Sequence, residues 1–171
     1  EHPSSGVRPP EHLTAEHDLS AFDCGEPELN SWLRERALKN EASRDSRTYV
    51  VCAGMRVVGF YCIANGGLTR AAATKKAGRQ APDPVPAMIL GRMGVDVAYQ
   101  GKGIGRDMLQ DAILRTVAAG EHGGIRILLV HAKSERAKRF YRDAGFDPSP
   151  VAPMTLMLRV VDAEHALRQP D

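Results

Sequence analysis

The sequence predicts a mixed α/β (α+β) domain in which helices pack on a mixed sheet. Two observations lead to this fold class. The chain has 171 residues, 43% of them hydrophobic and 26% charged, which is ordinary for one globular domain. Its predicted elements follow the order helix, hairpin, strand, helix, strand, helix, strand, and a Gly-rich turn joins the third strand to the next helix.

Residues 11–161 are expected to form this domain, between a flexible arm at 1–10 and a tail at 162–171. The arm lacks the apolar segment of a secretory signal. No apolar run in the chain approaches the roughly 18 residues of a membrane span, so no membrane association is expected. The three cysteines form no CxxC pair, so neither a metal site nor a disulfide framework is predicted, and a reducing cytoplasm fits best.

The first half of the domain is predicted to contain a helix, a hairpin and a long loop. The helix covers 28–39, where one face is apolar (Leu29, Trp32, Leu33 and Ala37). The β-rich segments 48–53 and 57–64 flank a three-residue turn and predict an antiparallel hairpin. Segment 65–87 is rich in Gly, Ala and Pro, and we expect a functional loop with a short helix in its Ala-rich part.

The second half is predicted to alternate strands and helices. The expected elements are a strand at 88–97, a helix from Ile104 to near Gly120, a strand at 125–132, a helix at 134–144 and a strand at 154–161. Ser134 is a candidate N-cap of the second of these helices, and Gly145 is suited to follow its last turn.

Charge is distributed unevenly along the chain. Residues 1–47 carry ten acids and six bases, whereas residues 48–171 carry eleven acids and seventeen bases. An excess of positive charge of this kind attracts phosphates, on a cofactor or on a nucleic acid, although most such asymmetries are only solvated surface.

The turn after the third strand carries the strongest chemical signal. It reads Gln100-Gly101-Lys102-Gly103-Ile104-Gly105, and glycines here let backbone N–H groups face a phosphate at the start of a helix. A Walker A loop is excluded because Gly103, not Ser or Thr, follows Lys102. The dinucleotide fingerprint is excluded because Arg106 takes the place of its third glycine. The alternative is a tight turn that needs glycine only for a positive φ.

Gln100, Gly103 and Gly105 match the pattern [Q/R]-x-x-G-x-[G/A], and here the chain resembles the GNAT acyltransferase superfamily. The resemblance extends to the buried strand 125–132 and to segment 140–146, which is similar to the family's F-Y-x-x-x-G-F element. It implies the GNAT fold: a mixed, mostly antiparallel central sheet flanked by helices, with splayed central strands that hold acetyl-CoA.

By this resemblance, backbone amides of the turn hold the pyrophosphate of acetyl-CoA, Lys102 and Arg106 add charge, and the strand around Gly94 pairs with the pantetheine arm. The cofactor-binding residues so expected are Met93, Gly94, Val95, Gln100, Gly101, Lys102, Gly103, Ile104, Gly105 and Arg106.

The implied reaction is direct attack of a neutral amine on the thioester. We expect the backbone N–H of Val95 to stabilise the oxyanion. Family members place a tyrosine at Tyr141, which is therefore expected to protonate the departing thiolate; the alternative is a core aromatic. No general base is evident. Asp96 follows the oxyanion strand, but we expect it to be a surface carboxylate.

Within the superfamily the chain is most similar to the GNAT toxins of toxin–antitoxin modules, which acetylate the aminoacyl group of charged tRNA and block translation. The matching features span about residues 11–160 and comprise Leu13, 22–25 (FDCG), 29–33 (LNSWL), Tyr61 and 90–96 (LGRMGVD).

A tRNA substrate would account for the basic residues outside the turn. Those expected to contact tRNA are Arg70, Lys75, Lys76, Arg79, Arg92, Lys138 and Arg139. For segment 133–142 a solvated helix face is an equally good explanation, and Arg92 is placed to touch either the CoA phosphates or the tRNA end.

The toxin resemblance also implies two protein partners, a small antitoxin and a second copy of the chain in a homodimer. Two other functions stay open from the sequence. One is a GNAT enzyme that acetylates a small amine or a protein N-terminus. The other is a noncatalytic module that senses acyl-CoA or binds nucleic acid. An aromatic content of 5% is low for a surface on which bases stack.

Overall fold

The structure is a computed structural model, and it describes residues 6–168. The chain divides into two compact units. The first unit contains the chain up to Ala64 together with Gly91–Ala112. The second unit contains Asn65–Leu90 together with the chain from Ile113 onward.

The seven strands form one sheet in the order β1-β2-β3-β4-β5-β7-β6. Their bounds are β1 Glu11–His12, β2 Arg47–Ala53, β3 Arg56–Leu68, β4 Val85–Val95, β5 Ile127–His131, β6 Asp147–Pro148 and β7 Thr155–Arg159. β4 and β5 are parallel, whereas β1–β2, β2–β3, β5–β7 and β6–β7 are antiparallel. The predicted mixed, mostly antiparallel sheet is therefore confirmed.

Six helices flank these strands within the described residues: α1 Pro27–Glu35, α2 Ala37–Ser43, α3 Lys75–Gly78, α4 Ile104–Ala119, α5 Glu135–Asp143 and α6 Val160–Arg168. The single helix predicted over 28–39 is wrong in its continuity, because Arg36, with φ −115° and ψ −33°, is a turn residue that ends α1 and precedes α2. The second helix ends beside β2, where Glu41 accepts a hydrogen bond from the backbone N–H of Thr48.

The predicted hairpin is confirmed as β2 and β3, but the loop expected at 65–87 is shorter. β3 continues to Leu68 and β4 starts at Val85, with the expected short helix, α3, between them. Small side chains bring this segment into the core of the second unit. Ala73, Ala77 and Ala81 are buried in one cluster with residues of β4, β5 and β7.

In the second unit, α5 has both predicted ends. Ser134 accepts a hydrogen bond from the N–H of Ala137 at 3.0 Å, and Gly145 follows the helix at φ +100°. The last strand ends at Arg159 rather than 161, and α6 forms where a tail was expected. Val160, from the predicted strand, and Ala163, from the expected tail, are both buried on α6.

The N-terminal arm is held in place from Arg8 onward. The backbone N–H of Arg8 donates to the carbonyl of Cys52 at 3.1 Å, and the Arg8 guanidinium contacts Gly54 and Glu11. The rest of the expected arm, residues 1–5, and residues 169–171 of the expected tail lie outside the described residues. Among the helices described, none is both long and apolar enough to cross a membrane.

Candidate functional site

The Gly-rich turn of the first unit leads directly into the longest helix. Gly101 and Gly103 have φ values of +78° and +86°, in the region that favours glycine. Helix α4 begins at Ile104, and the carbonyl of Gly103 already accepts the N–H of Asp107 at 3.1 Å. The N–H groups of the first turn therefore have no intrahelical partner, and they form a donor cluster at the positive end of a helix.

Gln100 connects this turn to the end of β4. Its side-chain amide donates to the carbonyl of Val95 at 2.9 Å and to that of Cys24 at 3.3 Å. The sequence predicted a cofactor contact for Gln100. In the structure its amide nitrogen lies on protein backbone, where it positions the turn, and the cofactor contact stays a prediction.

Two cations lie on the ring of Tyr99, which precedes the turn. The Lys102 ammonium is 5.1 Å from the ring centroid, and the Arg56 guanidinium is 6.0 Å from it. Lys102 and Arg106 are exposed, so their charges are available to a ligand at the turn. Ile104 is buried beneath Gly59, where it anchors α4 to β3.

The end of β4 is shaped by Gly94. A Cβ at this position would lie 3.2 Å from the Phe60 ring and 3.4 Å from Cys24, so even an alanine would require these side chains to shift by a few tenths of an ångström. The parallel pairing of β4 with β5 covers Ala87–Leu90, and Gly91–Val95 extend beyond it. This part of β4 includes all three strand residues expected to bind the pantetheine arm.

Asp96 is buried, with 2% of its surface exposed, and the expectation of a surface carboxylate is wrong. It accepts hydrogen bonds from the backbone N–H groups of Asp23 at 3.1 Å and Ala98 at 2.9 Å, and from Arg56 at 3.3 Å. A buried carboxylate with three donors is a structural anchor. It is therefore not available as a general base.

Segment 22–30, which comprises a loop and the first turn of α1, holds the other side of the same strand end. The Asn30 side chain accepts the N–H of Cys24 at 2.9 Å and donates to the Asp23 carboxylate at 3.0 Å. The Gly25 N–H and then Asn30 lower the pKa of Asp23. The carbonyl of Asp23 accepts the N–H of Val97 at 2.8 Å. Sequence reasoning assigned these residues no role, although a buried Asn on an apolar helix face is a detectable signal.

Arg92 lies on an aromatic surface of the first unit. Its guanidinium is 4.4 Å from the centroid of the Trp32 ring, and Trp32 in turn stacks on Phe60 at 6.0 Å. The cation–π contact holds the guanidinium in a defined position while Arg92 stays exposed.

Tyr141 lies on α5 in the second unit. Its ring packs against Phe140 at 5.3 Å and Phe146 at 5.7 Å, and burial raises the pKa of its hydroxyl above the usual 10.0. Within residues 6–168 the hydroxyl makes no hydrogen bond, and its oxygen keeps some solvent exposure although most of the side chain is buried. The ordinary pKa of a tyrosine already lies well above neutral and burial moves it further up, so the hydroxyl keeps its proton at neutral pH and is in the form that can donate.

The basic residues predicted in segment 65–87 divide into two groups. Arg70, Lys75 and Arg79 line one cavity of about 660 Å³ in the second unit. Lys76 is not part of this lining, and its ammonium pairs with Asp162 at 3.0 Å. On α5, Arg139 is exposed and Lys138 is half-buried.

One cluster in the described part of the chain has metal-ligand residue types: Glu11, His17 and Cys52. The backbone N–H of Thr14 donates to Nδ1 of His17 at 2.9 Å, so the ring proton lies on Nε2, which faces Glu11 at 3.2 Å. A metal at Nε2 would need that lone pair. Burial raises the pKa of the Cys52 thiol to about 11, which also disfavours the thiolate a metal would bind.

The chain is similar to known acetyltransferases. The profile of the acetyltransferase (GNAT) domain family matches residues 44–148. A tRNA-acetylating toxin of Mycobacterium tuberculosis is 43% identical over 159 residues, which cover 93% of this chain and 96% of the toxin.

Two solved structures are similar over nearly their whole length. AtaT complexed with acetyl-methionyl-tRNAfMet has a TM-score of 0.87 at 29% identity, covering 94% of this chain and 99% of AtaT. A tyrosine-to-phenylalanine mutant of AtaT, bound to the C-terminus of the antitoxin AtaR and acetyl-CoA, has a TM-score of 0.82 at 28% identity, covering 96% and 99% of the two chains.

Proposed function

Because this chain belongs to the GNAT acetyltransferase family, we propose that it transfers acetyl from acetyl-CoA to the α-amine of the amino acid on charged tRNA, and so blocks translation. The acceptor is inferred from how much of the chain resembles a tRNA-acetylating toxin. The match to the mycobacterial tRNA-acetylating toxin covers 93% of the chain and is not confined to the cofactor-binding segment.

The turn of the first unit fits the pyrophosphate of acetyl-CoA. Gly101 has no atom within 4 Å of where a Cβ would stand, so the backbone is open to a ligand there. The N–H groups of Gly103–Arg106 supply donors without intrahelical partners. Lys102 and Arg106 supply positive charge, and Gly91–Val95 supply strand backbone for the pantetheine arm. When bound, acetyl-CoA supplies the activated acetyl group.

Two groups of the chain act on the reaction in this proposal. The backbone N–H of Val95 stabilises the negative charge that develops on the acetyl oxygen as the amine nitrogen forms its bond to the carbonyl carbon. The hydroxyl of Tyr141 gives its proton to the sulfur as the C–S bond breaks. The proton that the amine nitrogen loses then returns to the tyrosine through solvent.

The absence of an available base at Asp96 is consistent with this acceptor. The α-amine of an ester-linked amino acid is less basic than a lysine amine, so more of it is neutral near pH 7. Such an amine needs little help from a general base, and the chain requires only an acid for the leaving group.

The proposed RNA surface consists of basic residues that make no ion pair within residues 6–168: Arg70, Lys75, Arg79, Arg92, Lys138 and Arg139. Unpaired surface cations attract the RNA backbone, whereas Lys76 is neutralised by Asp162 and is left out. The AtaT structure with acetyl-methionyl-tRNAfMet supports an RNA ligand for this fold.

We extend the proposal to the protein partners. The structure of AtaT with the C-terminus of AtaR supports a small antitoxin that binds this chain. A second copy of the chain, in a homodimer, would extend the RNA surface. Charged tRNA as the substrate is consistent with action in the cytoplasm.

Transfer of radiolabelled acetyl from acetyl-CoA tests the proposal. The purified chain is incubated with charged tRNA, with the same tRNA after deacylation, and with small amines and a peptide N-terminus. We expect label only in the charged tRNA. Label in a small amine or peptide would favour the alternative acceptors, and no transfer to any amine would favour a noncatalytic module.

A further inference from the structure

The cavity formed by segment 70–79 and the prolines after α5 has no role in the transfer chemistry. It measures about 660 Å³ and is contained within the second unit. Three cations line it (Arg70, Lys75 and Arg79), and the described residues contribute no acidic side chain to the lining. Its size lies within the roughly 300–1,000 Å³ of pockets that hold single small ligands.

Two of the three cations have no partner. Within residues 6–168, the side chains of Lys75 and Arg79 make neither a hydrogen bond nor an ion pair. The third, Arg70, is oriented by a hydrogen bond from its guanidinium to the carbonyl of Ala81 at 3.1 Å. Positive charge that is not neutralised at a concave surface favours an anionic ligand.

Side-chain hydrogen bonds hold the backbone around the cavity. Arg126 donates to the carbonyl of Ala77 at 2.7 Å and to that of Arg79. Thr74 caps α3 by accepting the N–H of Ala77 at 3.1 Å. Because these bonds fix the segment before any ligand binds, little ordering would be needed on binding.

The rest of the lining is small and mostly apolar. It consists of Ala71, Ala73, Thr74 and Gly78 from segment 70–79, and of Pro148 and Pro150 from the segment after α5. An apolar wall of this kind can pack against the face of a base that adjoins a phosphate, whereas a site for a bare phosphate ion would need only the cations.

We propose that this cavity binds one nucleotide unit of an RNA strand, with Lys75 and Arg79 on its phosphate and the apolar wall on its nucleoside. This inference rests on the proposed function, because charged tRNA is the RNA that the chain would meet as substrate. It adds that recognition of the RNA body includes one defined pocket rather than a diffuse positive surface alone.

Binding of deacylated tRNA to the full chain, measured between 50 and 200 mM salt, tests this inference without any acetyl transfer. Lys75→Gln and Arg79→Gln should each weaken binding about tenfold and reduce the slope of log K against log salt by about one. Lys76→Gln is the matched control, since it removes the same charge from the neighbouring position outside the lining. If all three variants lost the same amount of tRNA affinity, the pocket would be ruled out and binding would depend on a diffuse positive surface.

A charge-neutral variant tests the cavity itself. Ala71 is exposed, so Ala71→Phe should fold normally while it fills the space, and we expect tRNA binding to weaken by about tenfold or more. Unchanged binding by Ala71→Phe would overturn the inference. Competition by AMP and by inorganic phosphate distinguishes the source of the ligand, and AMP binding tighter than tRNA would overturn an RNA strand as the occupant.

Failure of the inference and failure of the proposed function are separable. Wild-type protein that acetylates charged tRNA, with variants that bind tRNA normally, would contradict only the cavity. Wild-type protein that acetylates no charged tRNA would contradict the proposed acceptor, while loss of tRNA binding in Lys75→Gln and Arg79→Gln alone would still support the pocket.

Discussion

The side-chain amide of Gln100 donates a hydrogen bond to the carbonyl of Val95, at 2.9 Å. The residue proposed to stabilise the oxyanion and the turn proposed to hold the pyrophosphate are therefore joined by one side chain. The same amide also reaches the carbonyl of Cys24, in the loop that Asn30 and Asp96 hold in place. A change in this network should alter acetyl-CoA binding, whereas the acceptor amine is not part of the network.

Removal of this tether should weaken acetyl-CoA binding. Gln100→Ala deletes two hydrogen bonds, each worth about 0.5–1.5 kcal/mol, and we expect the KM for acetyl-CoA to rise about tenfold. Steady-state kinetics at saturating acceptor measures the effect. Gln110→Ala, an exposed glutamine on α4, is the control and should leave KM unchanged. Equal kinetics for the two variants would show that the tether does not position the turn.

The turn glycine Gly101 can be tested against a glycine of similar geometry elsewhere. Gly101 and Gly54 both have positive φ, +78° and +64°, and both have open space where a Cβ would stand. Substitution by alanine should cost each about 1–2 kcal/mol of backbone strain. Only Gly101→Ala should raise the KM for acetyl-CoA, by about tenfold, because Gly54 lies in the hairpin turn. If Gly54→Ala raised the KM for acetyl-CoA to a similar extent, global destabilisation would be the cause.

Loss of the Tyr141 hydroxyl should reduce turnover. Tyr141→Phe keeps the ring packed against Phe140 and Phe146 but removes the proton donor, so kcat should fall about 10²–10⁴-fold while the melting temperature stays close to wild type. Tyr49→Phe, which removes a hydroxyl from β2, is the control. A folded Tyr141→Phe protein with wild-type kcat would exclude the tyrosine as the acid.

Glu41 should make the fold sensitive to acid. Despite burial, which raises its pKa, hydrogen bonds from the Thr48 N–H, Arg47 and His12 lower the pKa of its carboxyl below 4.5. The ionised form therefore stabilises the folded state above about pH 4.5, and this contribution is lost as pH falls through the lower folded pKa. Urea unfolding should show Glu41→Gln less stable at pH 7 by about 1–2 kcal/mol, with the difference shrinking in acid.

The control for this prediction is Glu35→Gln, which changes an exposed carboxylate at the end of α1. We expect it to leave the free energy of unfolding within about 0.5 kcal/mol of wild type at both pH values. A difference between Glu41→Gln and wild type that stays constant down to strongly acidic pH would show that the charge of Glu41 is not the cause.

Features set by local residue chemistry could be predicted from the sequence. Ser134 caps α5 and Gly145 ends it, because a cap and a positive φ each depend on a residue and its immediate neighbours. The strand before the turn and the start of α4 at Ile104 were predicted for the same reason.

Features set by distant contacts could not be predicted in this way. Asp96 has the polarity of a surface residue, and only its contacts with Asp23 and Arg56, far away in sequence, make it buried. The break at Arg36 and the helix from Val160 depend on packing that periodicity does not show. That Lys76 forms an ion pair while Lys75 does not could likewise not be predicted, because it depends on where Asp162 lies.

The most direct test of the central claim locates the acetyl group. The chain is incubated with acetyl-CoA and charged tRNA, the RNA is digested with nuclease, and the terminal aminoacyl-adenosine is analysed by mass spectrometry, with Tyr141→Phe in parallel. We predict an acetyl group on the α-amine of the amino acid for the wild-type chain and at most traces for the variant. Unmodified aminoacyl-adenosine, with acetyl-CoA consumed on another amine, would contradict the account.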